Sequence, residues 1–477
     1  MPVCEGGAMM IEITIVLEKN NGVPLYLQLY QYFKLEIQTG KIRPGEVLPS
    51  KRKLSQHLGV SQNTIEFAYQ QLLAEGYVDS MPRKGIFVKE IHSDLILTSQ
   101  KPITTNQVVS KQVAEPYLID FSHGRIALEH FPYTIWRRLT IQSLYEEQSS
   151  FFLNGDRQGE LALRMEIADY LYQSRGVRCF PEQIMIGAGT QYLIGLLTMI
   201  IGRDAIYSME NPGYHRTREA FKDQGVALIP IPLDENGINM KSLIDSKASV
   251  TYVTPSHQFP MGMVMPITRR MELLKWAEEK GRYIIEDDYD GEFRYRGKPI
   301  PSLQGLDHNN KVIYLGTFSK SLIPSIRINY IVLPHSLLKK YNEQFSLYKQ
   351  TVSRLHQHTL WQFMKEGHWE RHLNKMRTVY RKRQHALVSS VKKHLGDQVR
   401  IIGDDSGLHI LLGVQNTMSE TDLIEMAKEV KVKVYPTSVY DHEPAYDKEP
   451  MVLLGFGGLS EKEIEQGIIL LKKAWKL

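Results

Sequence analysis

One lysine of this sequence stands where it could do covalent chemistry. Lys320 follows a strand-like apolar run at residues 312–315, and further apolar residues come after it. Burial lowers the pKa of an ammonium group and frees the amine to attack an aldehyde. Most lysines instead lie in solvent, so a surface lysine in a loop is the alternative. The residues that the fold brings to Lys320 decide between the two.

Polar residues also follow other strand-like runs in the second part of the chain. These runs are predicted at residues 184–186, 205–209, 227–232, 250–253, 282–286 and 311–315. Helical stretches separate most of them, which predicts an α/β domain with a mainly parallel sheet. Ligands of such sheets bind at the carboxyl ends of the strands. The residues after each run are therefore candidates for one shared site.

Three of these candidate positions have alternative interpretations. The glycine-rich turn at residues 187–191, with Thr190, could hold a phosphate group or be a plain tight turn. The four carboxylates of residues 286–290 could form a metal site or a solvated turn. Tyr214 could stack on a ligand ring or serve only in packing.

One ligand, pyridoxal phosphate, explains most of these positions together. Its aldehyde needs a lysine and its pyridinium nitrogen a carboxylate, and it also needs a phosphate cradle and a donor to the ring hydroxyl. Lys320 supplies the lysine, Asp287 the carboxylate and Tyr289 the donor to the ring hydroxyl. Residues 187–191, Ser319 and Arg327 supply the phosphate cradle. No metal ion is part of this assignment.

The first part of the chain has the pattern of a DNA-binding unit. Residues 25–37 and 51–58 are predicted helices, with Ser50 capping the second and Gly59 closing it. Ser61 can cap a third helix whose apolar residues lie on one face. Two short helices joined by a glycine-containing turn indicate a helix-turn-helix. A small helical domain with solvated lysines is the alternative.

A hairpin with a basic tip follows these helices and could touch DNA as a wing. Residues 77–78 and 86–88 are its predicted strands. Basic side chains bind phosphates, and amide and hydroxyl groups can read base edges or bind phosphates. The candidate DNA-binding residues are Ser50, Lys51, Arg52, Ser61, Gln62, Asn63, Thr64, Arg83, Lys84 and Gly85.

The bulk numbers and the pattern along the chain suggest three segments. The chain has 477 residues and a net charge of +5, which permits a nucleic-acid partner. Only two cysteines are present and no apolar run is long enough to span a membrane, so we expect a cytoplasmic protein. We predict a DNA-binding domain at residues 12–90, an extended linker at 91–116 and a large domain at 117–477. Glu5-Gly6-Gly7 would be written in guanine-rich codons, so we also expect translation to start at Met9 or Met10.

Longer motifs resemble two known families. The N-terminal segment resembles the winged helix-turn-helix of the GntR superfamily at LPSKRKL (48–54), LGVSQNT (58–64) and RKGIFV (83–88). Gln62 stands where that family usually has arginine. Residues 117–477 resemble fold-type I aminotransferases, at IGAGTQ (186–191), NPGY (211–214), TPSHQFP (254–260), YIIEDDYD (283–290) and GTFSKSL (316–322). The combination resembles the MocR/GabR-type transcription regulators.

This resemblance implies specific roles for the candidate residues. Lys320 would link covalently to pyridoxal phosphate, Asp287 would pair with its ring nitrogen, and Tyr289 would bond its ring hydroxyl. Tyr214 would stack on the ring, and Arg216 would bind an effector carboxylate. The phosphate would be held by Gly189, Thr190, Ser319 and Arg327. The resemblance also implies a homodimer on a double-stranded DNA operator, in which the DNA-binding head could reach over the partner subunit.

One departure from the family pattern concerns the effector. Gly458 stands where relatives place an arginine that grips a substrate carboxylate, and such a bidentate contact is among the strongest available for an amino acid. We expect a regulator that senses a small amine or amino-acid-like effector, or the cofactor itself, with at most a half-reaction (external aldimine) at Lys320. The alternatives are a regulator of pyridoxal phosphate synthesis that responds to the cofactor alone, and an active aminotransferase.

Overall fold

The computed structural model describes residues 13–18, 22–90, 117–146, 150–295, 297, 300–443 and 449–477. The chain forms two compact units, Met1–Val113 and Ala114–Leu477. The expected start at Met9 or Met10 and the predicted linker at residues 91–116 lie outside the described residues. The domain bounds given above therefore stay predictions.

The first unit is built on three helices, because each of them has one apolar face. They are α1 (Leu25–Gln38), α2 (Lys51–Leu58) and α3 (Gln62–Ala74). Ser50 Oγ accepts a hydrogen bond from the Lys53 backbone N–H at 3.3 Å, and Ser61 Oγ accepts one from Thr64 at 3.2 Å. Gly59 ends α2 in the left-handed conformation, with φ of 62°. The predicted caps and turn are thus present in the structure.

A two-stranded hairpin completes the first unit. Strands β1 (Val78–Met81) and β2 (Gly85–Val88) pair antiparallel, so residues 82–84 form the tip. Arg83 at the tip has φ of 66°, and Gly85 follows it with φ of 117°. The segment before α2 joins this hairpin, since the Leu48 N–H donates to the carbonyl of Ile86 at 2.8 Å. The hairpin and the helices therefore share one small core.

The second unit is organised around a large sheet with the strand order β4-β11-β10-β9-β8-β5-β6-β7 within the described residues. Four of its neighbouring pairs are parallel, namely β10 with β9, β9 with β8, β8 with β5, and β5 with β6. The strands are β4 (Ile184–Gly187), β5 (Ile206–Asn211), β6 (Ala227–Asp234), β7 (Gly237–Ile238), β8 (Val250–Val253), β9 (Tyr283–Asp288), β10 (Val312–Thr317) and β11 (Asn329–Val332). The predicted mainly parallel sheet is confirmed.

Helices cover this sheet and explain why its strands are so apolar. Strands β4 and β8 are buried at every residue, as strands covered on both faces are. The helices from the start of the unit to the end of the sheet are α4 (Tyr133–Glu146), α5 (Leu161–Arg175), α6 (Thr190–Ile201), α7 (His215–Asp223), α8 (Met240–Asp245), α9 (Ile267–Glu279), α10 (His335–Gln344) and α11 (Arg354–Lys365).

The C-terminal part forms a second core around an antiparallel sheet in the order β12-β13-β16-β15. Its elements are α12 (His368–His394), β12 (Val399–Ile402), β13 (His409–Val414), α13 (Glu420–Glu429), β14 (Val432–Lys433), β15 (Tyr435–Pro436), β16 (Met451–Gly455) and α14 (Glu461–Trp475). The short strand β3 (Ile119–Asp120) pairs with β14, so the start of the unit joins this part. In the part of the chain that the structure describes, no helix has the length and apolarity to cross a membrane.

Candidate functional site

A cavity of about 180 Å³ lies where the predicted strands end. Parallel strands bring their carboxyl ends to one edge of the sheet, and β4, β5, β8, β9 and β10 each lead into the cavity. The residues that line it are His123, Thr190, Tyr214, Thr217, Tyr252, Thr254, Phe259, Asp287, Tyr289, Thr317, Ser319, Lys320, Arg327 and Asn329. Seven predicted ligand-binding residues are thus brought together.

Lys320 lines this cavity just after the end of β10. Its Nζ donates a hydrogen bond to the backbone carbonyl of His123 at 2.5 Å. Burial lowers the pKa of Lys320 to about 8, Asp290 opposes this shift, and the positive charge of Arg216 adds to it. The lysine is therefore a neutral amine far more often near pH 7 than a surface lysine is, as nucleophilic attack requires.

Asp287, at the end of β9, is buried at the cavity wall. Tyr252 donates its hydroxyl to Oδ2, and Oδ1 has no hydrogen-bond partner among the described residues. Burial raises the pKa of this carboxyl to about 7, and the Tyr252 hydroxyl opposes the rise. A buried carboxylate with an unused oxygen is costly unless a donor or a cation meets it.

The other carboxylates of the acidic run are buried and bonded to protein groups, so the run is not a solvated turn. Glu286 accepts hydrogen bonds from the backbone N–H groups of Leu303 and Gln304 at 2.7 and 2.8 Å. Asp288 pairs with the buried Arg175 at 2.6 Å. Among the described residues, no group of three or more histidine, cysteine, aspartate or glutamate side chains could hold a metal ion.

Tyr289 reaches the cavity while its hydroxyl is held from behind by His257. The hydroxyl donates to the His257 backbone carbonyl at 3.0 Å and lies 3.0 Å from His257 Nδ1. The same Nδ1 lies 3.0 Å from Asp290 Oδ2, and both of these side chains are buried. Burial raises the pKa of Tyr289 well above its usual value, so the phenol is neutral. His257 lies in the TPSHQFP motif, and its role was not predicted from the sequence.

The predicted phosphate cradle lies at the amino end of α6. Arg327 Nη2 donates to the Ala188 carbonyl at 3.2 Å, and its guanidinium is exposed. A Cβ at Gly189 would lie 2.0 Å from this Nη2, so the guanidinium can occupy this position only because residue 189 has no side chain. Asn329 also contributes, since its amide donates to Thr190 Oγ1 at 3.0 Å. Asn329 was missed because it begins a strand, β11, that the sequence did not predict.

The two remaining predicted residues differ in position. Tyr214 lines the cavity and meets the ring of Phe259 edge-on, with 5.1 Å between centroids. Arg216 is exposed and is not one of the residues that line the cavity, although its charge lowers the pKa of Lys320. The structure therefore puts Arg216 beside the cavity rather than in its wall.

The space that a side chain at position 458 would need is occupied by the aliphatic part of Arg125. A Cβ at Gly458 would lie 2.5 Å from the Cβ of Arg125. The guanidinium of Arg125 is directed to Asp120, with 3.0 Å between Nη2 and Oδ2. This arginine thus covers Gly458 with apolar atoms while its charge is already paired.

The predicted DNA-binding residues lie on α2, α3 and the hairpin tip of the first unit. Arg52, Gln62 and Asn63 are exposed, as are Arg83 and Lys84. Ser50 and Ser61 are engaged as helix caps, and Ser61 Oγ also lies 2.9 Å from the hydroxyl of Thr64.

Lys51 has an acidic partner within the first unit. It forms an ion pair with Glu66, which lies on α3. Lys51 must therefore exchange this partner before it can pair with a DNA phosphate.

Comparison with protein families matches both units. Residues 25–88 match the bacterial regulatory proteins of the gntR family. Residues 117–449 match the family of class I and II aminotransferases.

Individual proteins are similar over nearly the whole length. The chain is 47% identical over 471 residues to the uncharacterized HTH-type transcriptional regulator YdeL of Bacillus subtilis, which covers 98% of this chain and 100% of the relative. It is 32% identical to the probable rhizopine catabolism regulatory protein MocR of Rhizobium meliloti, with 97% and 96% covered.

A solved structure is similar in the larger part of the chain. It is the α-aminoadipate aminotransferase LysN of Thermus thermophilus, complexed with N-(5'-phosphopyridoxyl)-L-leucine. The TM-score is 0.66 and the identity 26%, over 75% of this chain and 92% of that one.

Proposed function

Because the chain belongs to the MocR-type transcriptional regulators, which join a GntR-family helix-turn-helix domain to an aminotransferase class I and II domain, we propose that it binds pyridoxal phosphate and senses a small amine through this cofactor. The observation that carries the proposal is the meeting of Lys320, Asp287 and Tyr289 at one cavity. The sensed molecule would alter how the protein binds its DNA operator.

The residues of the cavity fit pyridoxal phosphate at its ring. Oδ1 of Asp287 is buried without a partner and can accept a hydrogen bond from a protonated ring nitrogen. Burial raises the pKa of Asp287 to about 7. A positive charge at the ring nitrogen would oppose this rise and favour the ionised carboxylate. The aromatic side chains of Tyr214 and Phe259 give the same cavity flat apolar walls.

The residues also fit the phosphate group. The first N–H groups of α6 have no partner within the helix and favour an anion. Thr190 and Ser319 add hydroxyl groups, and Arg327 adds a positive charge whose place depends on Gly189. The phosphopyridoxyl compound bound to the Thermus aminotransferase supports this choice of ligand, since that protein shares the fold.

The side chains of the cavity have separate tasks in this proposal. Pyridoxal phosphate supplies an aldehyde that condenses with primary amines. Lys320, with its pKa lowered to about 8, provides the amine of the protein. Tyr252 holds Oδ2 of Asp287 so that Oδ1 stays directed to its ligand, and His257 fixes the hydroxyl of Tyr289. If a second amine took the place of Lys320, the free lysine would donate to the His123 carbonyl, as it does in this structure.

The DNA-binding part of the proposal rests on the exposed side chains of α3 and the hairpin tip. Gln62 and Asn63 stand at the start of α3, where a recognition helix contacts base edges in the major groove. Arg83 and Lys84 would bind the DNA backbone. We further propose a cytoplasmic homodimer, whose two-fold symmetry would match a repeated or palindromic operator.

A second candidate function is a response to pyridoxal phosphate alone, which would suit a regulator of its synthesis. The packing at Gly458 favours it, because the stem of Arg125 covers this position and its guanidinium is paired with Asp120. A carboxylate therefore finds no free guanidinium at this place. Both functions predict little or no sustained transamination.

Absorbance spectroscopy of the purified protein tests the proposal. The wild-type protein mixed with pyridoxal phosphate should gain a visible absorbance band, and borohydride should fix the cofactor to the chain permanently. Lys320→Ala should show neither, because no amine replaces Nζ in the cavity. Lys339→Ala, which removes an exposed lysine of α10, is the matched control and should behave as the wild type. Covalent cofactor on Lys320→Ala would contradict the assignment.

A further inference from the structure

A loop of four residues, 122–125, enters the proposed cofactor cavity from the start of the second unit. His123 belongs to this loop and lines the cavity. Its backbone carbonyl accepts the hydrogen bond from Lys320 Nζ at 2.5 Å. The side chain of His123 therefore stands beside the amine on which the proposed function depends.

Three glycines of the C-terminal segment allow this loop to pack closely against that segment. A Cβ at Gly455 would lie 2.4 Å from the Cα of His123, and one at Gly457 would lie 2.6 Å from the carbonyl oxygen of Arg125. A Cβ at Gly458 would meet the Cβ of Arg125 at 2.5 Å. The Gly455 N–H also donates to the Phe121 carbonyl at 2.8 Å. Side chains at these three positions would displace the loop, so the position of His123 is built into the fold.

The imidazole of His123 has unused hydrogen-bonding capacity. Its ring contacts three aromatic side chains, with centroids 5.4 Å from Phe259, 6.4 Å from Tyr214 and 6.2 Å from Tyr435. Nδ1 is enclosed and has no partner, and neither ring nitrogen takes part in a hydrogen bond within the described residues. A polar ring in an aromatic surrounding gains from a ligand that bonds it.

The charge state of this ring narrows the kind of ligand. Burial, and then the charges of Lys320, Arg216 and His215, lower the pKa of His123 to about 3. The imidazole is therefore neutral near pH 7 and forms hydrogen bonds without an ion pair. Positive charge must come from another residue, and Arg216 is exposed with no ion-pair partner in the described ranges.

We propose that His123 determines which amines the cavity accepts, by hydrogen bonding to a hydroxyl or carboxylate group of a small primary amine. This inference rests on the proposed function, because the amine reports its presence through the cofactor on Lys320. Arg216 supplies the additional attraction for amines that carry a carboxylate.

Three matched amines test this inference on the full-length protein loaded with pyridoxal phosphate. Propylamine ends in a methyl group where 2-aminoethanol ends in a hydroxyl group. The third amine, 3-aminopropanoate, ends in a carboxylate. The absorbance change on titration gives the Kd of each. The wild type should bind 2-aminoethanol and 3-aminopropanoate more tightly than propylamine. In His123→Phe the Kd of 2-aminoethanol should rise about tenfold, the usual worth of one hydrogen bond, while that of propylamine should stay the same.

Further variants separate recognition from packing. His123→Asn keeps a hydrogen-bonding group and should restore part of the preference for 2-aminoethanol. Arg216→Gln should weaken 3-aminopropanoate relative to the two amines that carry no carboxylate. His335→Phe, at the start of α10 and outside the cavity wall, is the matched control and should leave all three Kd values unchanged.

Three results would overturn the inference. Equal loss of affinity for all three amines in His123→Phe would mean that the ring only packs. The absence of any wild-type preference, or of any response to amines, would refute it as well. In each of these cases the wild type could still bind pyridoxal phosphate at Lys320. The proposed binding of the cofactor, and the response to the cofactor alone, would then stand. Loss of that binding would instead refute the proposed function.

Discussion

At the scale of single residues, the cavity combines titratable groups whose pKa values are displaced by the same cause. Burial lowers the pKa of Lys320 to about 8 and raises that of Asp287 to about 7. Because the two shifts run in opposite directions, both side chains are closer to neutral near pH 7 than they would be in water. A neutral amine and a carboxyl that awaits a cation suit a pyridoxal phosphate site.

The pH dependence of cofactor capture should show this lowered pKa. The rate at which visible absorbance develops should rise with pH and level off above a midpoint near 8, because only the neutral amine attacks the aldehyde. With a pKa of about 8, about a tenth of the lysine is neutral at pH 7. Arg216→Gln should move the midpoint upward, since the positive charge of Arg216 contributes to lowering the pKa.

Rapid mixing between pH 6.5 and 9.5 measures this midpoint. Arg218→Gln is the matched control, because its guanidinium donates to backbone carbonyls of residues 439–441 rather than acting on Lys320. A midpoint above pH 10 in the wild type would show that Lys320 is solvated as an ordinary lysine.

At the scale of elements, the amino end of α6 and the αL residue Arg327 form the proposed phosphate-binding unit. Arg327 has φ of 54°, and Gly189 has φ of 100°. These backbone conformations bring the guanidinium against the turn before the helix. The cradle thus depends on a missing Cβ as much as on charged groups.

Gly189→Ala should raise the Kd for pyridoxal phosphate at least about tenfold, because its Cβ would lie 2.0 Å from Arg327 Nη2 and displace the guanidinium. Gly202→Ala is the matched control at the other end of α6. Gly202 also has positive φ, but a Cβ there meets nothing within 4 Å. Equilibrium titration of both variants distinguishes loss of the cradle from backbone strain. Equal Kd values in the two would contradict the predicted role.

The ion pair between α2 and α3 makes a prediction for DNA binding. Glu66→Gln should tighten binding to duplex DNA of random sequence, because Lys51 loses its protein partner and becomes available to a phosphate. The dependence of log K on log salt should steepen by up to about 0.9, the value for one phosphate contact.

Fluorescence anisotropy at several salt concentrations measures this change. Glu75→Gln removes the same charge near the end of α3, where Glu75 pairs with Lys34. It should change the salt dependence less than Glu66→Gln does. The same salt slope in Glu66→Gln and the wild type would show that Lys51 does not contact phosphates.

At the scale of the whole molecule, the chain joins a DNA-reading unit to a unit with an aminotransferase fold. Each unit has its own hydrophobic core among the described residues. Binding of ligand can affect transcription only if it favours one arrangement of the protein on DNA over another.

Removal of residues 1–90 should abolish specific operator binding and leave the Kd for pyridoxal phosphate unchanged, because the described residues that line the cavity all lie in the second unit. Gel-shift assays and absorbance titration measure the two functions. The full-length double variant Arg83→Ala/Lys84→Ala should also lose operator affinity, and it keeps the first unit in the chain. Specific binding by the truncated chain would contradict the assignment of DNA recognition to the first unit.

The sequence by itself determined the local elements and the residue types of the proposed site. Helix α2 begins and ends as predicted because Ser50 caps it and Gly59 adopts the left-handed turn. The predicted strands of the large sheet lie within one or two residues of the observed ones, since continuous apolar runs mark buried parallel strands. Lys320, Asp287 and Tyr289 could be found because each follows such a run.

Only the tertiary structure decided which polar groups keep unused hydrogen-bonding capacity. Asp287 is one of four carboxylates within residues 286–290, and its free Oδ1 depends on Tyr252 taking only the other oxygen. His123 meets Lys320 although 197 residues separate them along the chain. Arg125 covers Gly458 because the fold lays two distant segments together. Such contacts arise from packing between elements far apart in sequence, and no local pattern of residue types contains them.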